Sequence, residues 1–206
     1  MGKGFFRTTL KGSVMPNAFF AMMFRMKYIR RWGIMRAIVP ESLSTHSMEV
    51  AVTAHALAII GNKYFGKNYD CERIATKAIY HDLPEILTGD IPTPVKYFNN
   101  ETKTAYDKVE KAALKKFLCS LPEELADEYK EMFCYTPEEK KIIKAADKIC
   151  AYLKCREEER GGNMEFSVAK KALSESIAKL NCEEADYFLK EFSAGFDMPI
   201  DTLIEE

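Results

Sequence analysis

The residues from 80 to 98 form the segment that decides the fold, and they read Tyr80-His81-Asp82-Leu83-Pro84-Glu85-Ile86-Leu87-Thr88-Gly89-Asp90-Ile91-Pro92-Thr93-Pro94-Val95-Lys96-Tyr97-Phe98. Its prolines and its glycine forbid a continuous helix, because proline removes a backbone donor and restricts the residue before it. A rigid, irregular segment of this kind is a natural wall for a functional site. The residues on both sides of it follow helical periodicity instead.

Helices are expected over most of the remaining chain, because apolar residues recur with helical spacing and Gly or Pro falls between the periodic stretches. We therefore predict an all-α fold, a single helical bundle with little room for strands. Thr136-Pro137-Glu138-Glu139 has the order of a capping box, Ser120 with Glu123 repeats it, and Gly161-Gly162 ends the longest helix. The predicted helices cover residues 17–32, 44–62, 70–82, 100–119, 122–133, 137–160, 164–180 and 182–194.

The composition is that of one soluble domain. The 206 residues are 47% hydrophobic, which suffices for one buried core, and no break in composition divides them. The six cysteines form no Cys-x-x-Cys pair and the N-terminus lacks the apolar run of a signal peptide, so we expect free thiols and a cytoplasmic location. No apolar stretch reaches the roughly 18 residues that cross a bilayer, so we expect no membrane partner.

Charge is distributed unevenly along the chain. Residues 1–40 carry eight Lys or Arg and no acid, which leaves 22 basic and 31 acidic residues in the remainder. This basic end can face an anion, although a solvated basic helix surface is an equal alternative. A polymeric nucleic acid is not the expected partner, because basic residues with interleaved aromatics do not recur along the chain.

The three histidines of the chain fall into different roles by helix geometry. His55 follows His46 by nine residues, which at about 100° per residue places it half a turn away, so the two cannot share one site. We interpret His55 as a surface or inter-helix histidine. His46 instead shares a helix face with the apolar stripe formed by Val50, Thr53, Ala54 and Leu57.

Two acids also fall on predicted inward faces. Asp82, next to His81, continues the stripe of the 70–82 helix, and Asp147 lies on the inward face of the 137–160 helix. An ionised Asp on an apolar face is costly unless a cation or hydrogen bonds compensate it. The apolar stripes on these faces comprise Ile74, Ala75, Ala78 and Ile79 on the first helix, and Ile143, Cys150 and Ala151 on the second. One explanation for the two acids is a buried network of His/Asp salt bridges without metal.

A divalent metal ion held by His46, His81, Asp82 and Asp147 is the explanation that we favour. Imidazoles with carboxylates form a mixed nitrogen and oxygen set that suits Mn, Co, Ni, Fe or Zn more than Ca. Four protein ligands leave open positions on a six-coordinate ion for a water and a substrate phosphate oxygen.

Four further residues are candidates for the same site. Glu85 follows Asp82 by three residues across a proline, so it can orient or deprotonate the attacking water, unless it is an ordinary exposed acid. Arg31 offers a planar fork for phosphate, with an exposed salt bridge as the alternative. Trp32 can pack on the sugar or base, or in the core. Asp90 belongs either to the site or to a turn.

The order His46, His81-Asp82, Asp147 resembles the H…HD…D signature of the HD-domain superfamily of metal phosphohydrolases. The flanking residues 30–36, 44–47, 80–98 and 145–155 make the resemblance more specific, and together they resemble the YfbR-type 5′-deoxynucleotidases. The similarity runs from about residue 20 to about residue 200. We therefore expect an HD domain over residues 16–200, preceded by an N-terminal extension over residues 1–15.

The resemblance implies hydrolysis of deoxyribonucleoside 5′-monophosphates by a homodimeric helical enzyme that uses one Co, Mn or related ion. It also implies roles for the residues that match the family's motifs: His46, His81, Asp82 and Asp147 as metal ligands, Glu85 as the catalytic carboxylate, and Arg31, Trp32 and Asp90 as substrate-binding residues. One departure is Leu83-Pro84, where the family's better-known member has Ala-Ser.

Two other functions remain open at this point. The first is a different HD-type hydrolase that acts on a nucleoside triphosphate, a cyclic phosphodiester or a guanosine polyphosphate. The second is a catalytically silent nucleotide-binding or scaffolding helical domain. A missing ligand or base would indicate the silent domain, and none is missing from this sequence.

Overall fold

A computed structural model describes residues 17–204 of the chain as a bundle of eleven α-helices, without a β-sheet in that range. The prediction of an all-α fold is confirmed, whereas the predicted extension 1–15 lies outside the described residues. The helices are α1 Phe19–Met23, α2 Leu43–Tyr64, α3 Cys71–Ile79, α4 Glu85–Thr88, α5 Thr93–Lys96, α6 Asn100–Leu118, α7 Glu123–Glu131, α8 Pro137–Arg160, α9 Ser167–Ala178, α10 Glu183–Phe192 and α11 Ile200–Ile204. Short 3₁₀ turns occupy Phe24–Tyr28, Met164–Phe166 and Ser193–Asp197.

Side-chain capping marks the starts of α2, α3, α6 and α8. Thr136 accepts a hydrogen bond from the Glu139 backbone while the Glu139 carboxylate accepts one from the Thr136 backbone, which confirms the predicted capping box at α8. The box predicted at Ser120 is wrong, because the Ser120 hydroxyl donates to the Phe117 carbonyl and α7 begins after Pro122 without a side-chain cap. Side-chain caps also begin α2, α3 and α6, at Ser42, Asp70 and Asn99.

The main core lies where α2 packs against α3, α8 and α10. The stripe predicted for α2 is confirmed, since every member of it is buried along with His46. The stripe predicted for α3 is only partly right: Ile79 is 42% exposed and Lys77 is buried instead. Lys77 is tolerated there because its ammonium donates to the Glu139 carboxylate at 2.6 Å and to the Cys134 carbonyl.

The predicted helix over residues 17–32 is wrong beyond its first turns. α1 ends at Met23, a 3₁₀ turn follows to Tyr28, and Arg30 then forms an antiparallel bridge with Ser42. The Arg31 N–H donates to the Glu41 carbonyl at 3.0 Å, and the Leu43 N–H donates to the Ile29 carbonyl at 2.9 Å. These bonds hold residues 29–31 extended beside the start of α2.

The segment around the His-Asp pair is irregular, as predicted. α3 ends at Ile79 rather than at residue 82, so His81 and Asp82 lie in a turn, and α4 and α5 are single-turn helices further along. Leu83 anchors this segment, because it is fully buried in a second, smaller cluster. The other buried members of that cluster are Phe19, Phe117 and Leu121.

The free thiols expected from the sequence are confirmed, since none of the six cysteines is paired. Among residues 17–204, no helix combines the length with the low charge that a membrane crossing requires.

Candidate metal and nucleotide site

Two helices and one turn bring the four predicted metal ligands together. His46 comes from the first turns of α2, Asp147 from the middle of α8, and His81 and Asp82 from the turn after α3. One ligand atom each of His46, His81 and Asp147 lies within 4.8 Å of the other two. Asp82 Oδ2 is 3.0 Å from His81 Nε2 and 3.8 Å from His46 Nε2. His55 lies outside this group.

The two imidazoles each turn one nitrogen toward the carboxylates. His46 Nε2 lies 3.1 Å from Asp147 Oδ1. His81 Nδ1 lies 2.7 Å from the Ala78 carbonyl. Because a carbonyl only accepts, Nδ1 of His81 carries a proton, and in the neutral imidazole Nε2 then presents its lone pair to the site. His81 Nε2 is buried without a hydrogen-bond partner, as a metal-ligating nitrogen would be before its ion binds.

The electrostatics of this cluster call for a cation. Burial lowers the pKa of His81, but the charges of Asp82 and Asp147 outweigh burial and raise this pKa to about 9. Burial raises the pKa of Asp82, but the positive charge of protonated His81 outweighs burial and holds that pKa well below its usual range. In the metal-free protein, protons on the imidazoles balance the buried carboxylates. A divalent ion would balance the same charges, so the residues present fit a metal site.

Glu85 opens α4 immediately beside this cluster. Its Oε2 is buried without a hydrogen-bond partner, and its backbone N–H donates to the Asp82 carbonyl at 3.0 Å. Burial, followed by the negative charges of Asp82 and Asp90, raises the pKa of Glu85 to about 9. Pro84 caps the start of this helix in the αR conformation, so the Leu83-Pro84 departure is accommodated by one buried leucine and one helix-compatible proline.

Arg31, Trp32 and Asp90 border the cluster. Arg31 Nη1 lies 3.6 Å from Asp82 Oδ2 and 3.9 Å from Asp90 Oδ1. Asp90 Oδ2 also accepts the Trp32 backbone N–H at 3.2 Å. Trp32 has a φ of 60°, which is unusual for a residue with a side chain, and its indole packs edge-on against Phe166 with ring centroids 5.2 Å apart. The structure therefore brings all three residues to one edge of the His/Asp cluster.

Glu41 is a site residue that the sequence reasoning missed. It is only 6% exposed and touches His46, Arg31 and Trp32. Its sequence signal was available, since it is the first acid of the chain, follows forty residues without one, and immediately precedes the Ser42 cap of α2.

Known proteins are similar to this chain in fold and in sequence. The crystal structure of an HD-domain phosphohydrolase from Listeria innocua superposes with a TM-score of 0.76 at 24% identity, covering 86% of this chain and 87% of the other. A 5′-deoxynucleotidase of Vibrio vulnificus is 48% identical over 188 residues, which cover 90% of this chain and 97% of the relative. The 5′-deoxynucleotidase YfbR of Shigella dysenteriae is 46% identical over 191 residues, with coverages of 91% and 96%.

The helical bundle defines the fold class, which is that of the HD-domain phosphohydrolase structure from Listeria innocua, and histidines and aspartates cluster inside it. A family model described as 5′-deoxynucleotidase YfbR-like matches residues 18–196. The chain therefore belongs to the YfbR-like 5′-deoxynucleotidase family, which confirms the resemblance that its motifs indicated.

Proposed function

We propose that this chain hydrolyses deoxyribonucleoside 5′-monophosphates to deoxynucleosides and inorganic phosphate, with one divalent metal ion as cofactor. The carrying observation is the convergence of His46, His81, Asp82 and Asp147 beside the guanidinium of Arg31. Two further findings support the same reaction. The chain belongs to the YfbR-like family, and relatives that are 46–48% identical in sequence are named 5′-deoxynucleotidases.

His46, His81, Asp82 and Asp147 would hold the ion. Their mixed set of imidazole and carboxylate ligands suits Co, Mn or a similar transition metal. When bound, such an ion supplies Lewis-acid stabilisation of phosphate oxygens and lowers the pKa of a water molecule.

Glu85 is the group that moves the proton in this proposal. Its buried Oε2 has no hydrogen-bond partner, and without a metal ion its pKa is raised to about 9, which favours the protonated carboxyl. A bound divalent cation would lower this pKa and leave the carboxylate that the reaction needs. The carboxylate takes a proton from the attacking water as that oxygen bonds to phosphorus. The same proton passes to the sugar O5′ when the phosphorus–O5′ bond breaks, so atoms and charge balance.

Arg31 would bind the phosphate. The Arg31 side chain is 11% exposed, and its Nη1 stands 3.6 Å or more from both neighbouring aspartates, so that end can turn to a substrate phosphate oxygen. Trp32, held by Asp90 through its backbone N–H, would crowd the 2′ position of the sugar and so favour the deoxy substrate.

A homodimer in the cytoplasm completes the proposal and rests on the family resemblance. Met48, Val52 and Ile59 are exposed on one face of α2, which supplies an apolar surface for a second copy. Light scattering after size exclusion should give twice the mass of 23.5 kDa. A monomeric mass at micromolar concentration would refute the dimer.

Phosphate release from a panel of nucleotides tests the reaction. Deoxyribonucleoside 5′-monophosphates should be hydrolysed with Co²⁺ or Mn²⁺, while 3′-monophosphates and ribonucleoside 5′-monophosphates should react much more slowly. Preferential turnover of triphosphates or cyclic phosphodiesters would instead identify another HD-type hydrolase. Metal binding without any turnover would identify a silent nucleotide-binding domain.

A further inference from the structure

Glu41 presents one carboxylate oxygen to the two nucleotide-binding side chains. Its Oε2 accepts a hydrogen bond from Arg31 Nε at 3.2 Å and one from Trp32 Nε1 at 2.6 Å. Both are charge-assisted bonds in a nearly water-free setting, since the Glu41 side chain is only 5% exposed. Such bonds are roughly twice as strong as neutral ones and set the direction of both donors.

The other oxygen of Glu41 faces the proposed metal centre. Glu41 Oε1 lies 3.5 Å from His46 Nδ1, and both atoms are buried without a hydrogen-bond partner. A buried polar atom without a hydrogen-bond partner is unfavourable, so a small rotation that joins Glu41 Oε1 to His46 Nδ1 is favoured. An imidazole that ligates a metal through one nitrogen commonly donates its other N–H to a carboxylate, which fixes the tautomer and raises its basicity.

We propose that Glu41 is a positioning residue that couples the metal centre to the nucleotide-binding residues. One of its oxygens orients the imidazole of His46, and the other orients Arg31 and Trp32. The inference rests on the proposed function and goes beyond it, because it makes metal affinity and the placement of the indole depend on one carboxylate.

A glutamate carboxylate suits this position chemically. The three groups around it all donate, and a carboxylate offers two oxygens that only accept. Glutamine keeps one oxygen, and its amide would point a donor at either His46 Nδ1–H or the Arg31 and Trp32 pair. Aspartate keeps both accepting oxygens but is shorter by one methylene, so it should contact the three donors less closely.

Glu41→Gln tests the coupling without relying on turnover. Equilibrium dialysis of the substrate-free protein should show Mn²⁺ and Co²⁺ affinity weakened by about 10–100-fold. Trp32 is the only tryptophan, so intrinsic fluorescence reports on it alone. In the wild type, metal addition should change this emission because His46 and the indole share Glu41, and in Glu41→Gln that change should be lost.

Glu184→Gln is the matched control. Glu184 is also a buried carboxylate, 2% exposed, but it binds Tyr69 and Cys182 and touches no residue of the site. This variant should lose stability while it keeps the wild-type metal affinity and fluorescence response. Glu41→Asp is measured in parallel, and it should show the same losses to a smaller degree with the helical circular dichroism of the wild type.

Two results would overturn the inference. The first is that folded Glu41→Gln and Glu41→Asp bind metal and respond in fluorescence as the wild type does. In that case Glu41 does not couple the metal centre to the nucleotide-binding residues, and the proposed function stands. If the wild type itself binds no divalent ion and hydrolyses no deoxynucleotide, the proposed function fails together with the inference. The wild-type assays therefore separate the two failures.

Discussion

At the scale of single residues, Glu85 shows how neighbouring charges prepare a proton carrier. Burial and the charges of Asp82 and Asp90 favour the protonated form of its carboxyl, and Arg31 acts in the opposite direction. Substituting Glu85→Gln keeps the shape and removes the exchangeable proton. We expect kcat to fall by about 10²–10⁴ while the metal stays bound. Steady-state kinetics with metal analysis measure both, and loss of the metal would make Glu85 a ligand instead.

Trp32 carries the residue-scale prediction for sugar choice. An apolar wall alone discriminates one extra hydroxyl by only about a hundredfold, so sharper exclusion needs crowding at C2′. Trp32→Ala should raise activity on ribonucleotides relative to deoxyribonucleotides. Arg31→Ala should weaken both alike.

Trp32→Phe is the matched control, because it keeps a ring and loses the N–H that Glu41 accepts. It should retain more of the sugar selection than Trp32→Ala does. Equal losses on both sugar types in Trp32→Ala would show that the indole only packs against Phe166.

At the scale of elements, α8 holds the chain between Trp32 and α2 in place through one acid. Glu158 accepts the backbone N–H groups of Ile38 at 2.7 Å and Val39 at 3.0 Å, and it pairs with Lys154 at 2.7 Å. In Glu158→Gln, the NH₂ group of the new amide would face one of these donors, and two donors cannot bond to each other. The substitution should lower the free energy of unfolding by about 2–3 kcal/mol. Glu157→Gln, a 55% exposed partner of the same lysine, should cost well under 1 kcal/mol.

The stabilisation from Glu158 should depend on pH. Burial raises its pKa, but the N–H groups of Ile38 and Val39 and the ammonium of Lys154 outweigh burial and lower this pKa from 4.5 to about 2. A lowered pKa means that the folded state favours the ionised form. The ionised Glu158 therefore contributes its full stabilisation at a pH above its ordinary pKa of 4.5. This stabilisation is lost as the pH falls toward 2. Urea unfolding should show that the difference in free energy of unfolding between wild type and Glu158→Gln becomes smaller from pH 5 to pH 3. A difference that stays constant over this range would contradict the prediction.

At the scale of the whole molecule, the proposed ligands come from α2, α8 and the turn after α3, so a bound ion would tie these parts together. An ion that binds only the folded state stabilises it by about 2.7 kcal/mol at a hundredfold excess over its Kd. The melting temperature should rise when Mn²⁺ or Co²⁺ is added and should fall back to its starting value when a chelator removes the ion. Asp147→Ala should stay folded, show no such rise and lose turnover, and a wild-type shift in that variant would remove Asp147 from the ligand set.

Local rules determined most of the bundle from the sequence. The capping box at Thr136, the end of α8 at Gly161, the irregular stretch after Asp82 and the inward face of His46 were all predictable. Each depends on residues within a few positions of one another, because helix periodicity, capping and proline sterics act over one or two turns. The motifs around these residues also pointed to the family.

The tertiary structure decided the path from Phe24 to Ser42, and with it how Arg31, Trp32 and Glu41 stand against the His/Asp cluster. Basic and apolar residues there suit a helix, yet the chain leaves it for hydrogen bonds between Ile29 and Leu43 and for the distant carboxylate of Glu158. Partners separated by ten to more than a hundred positions leave no local pattern. These contacts stabilise the chain only once α2 and α8 have packed. For that reason the sequence predicted the candidate ligands but not the buried Glu41 beside them.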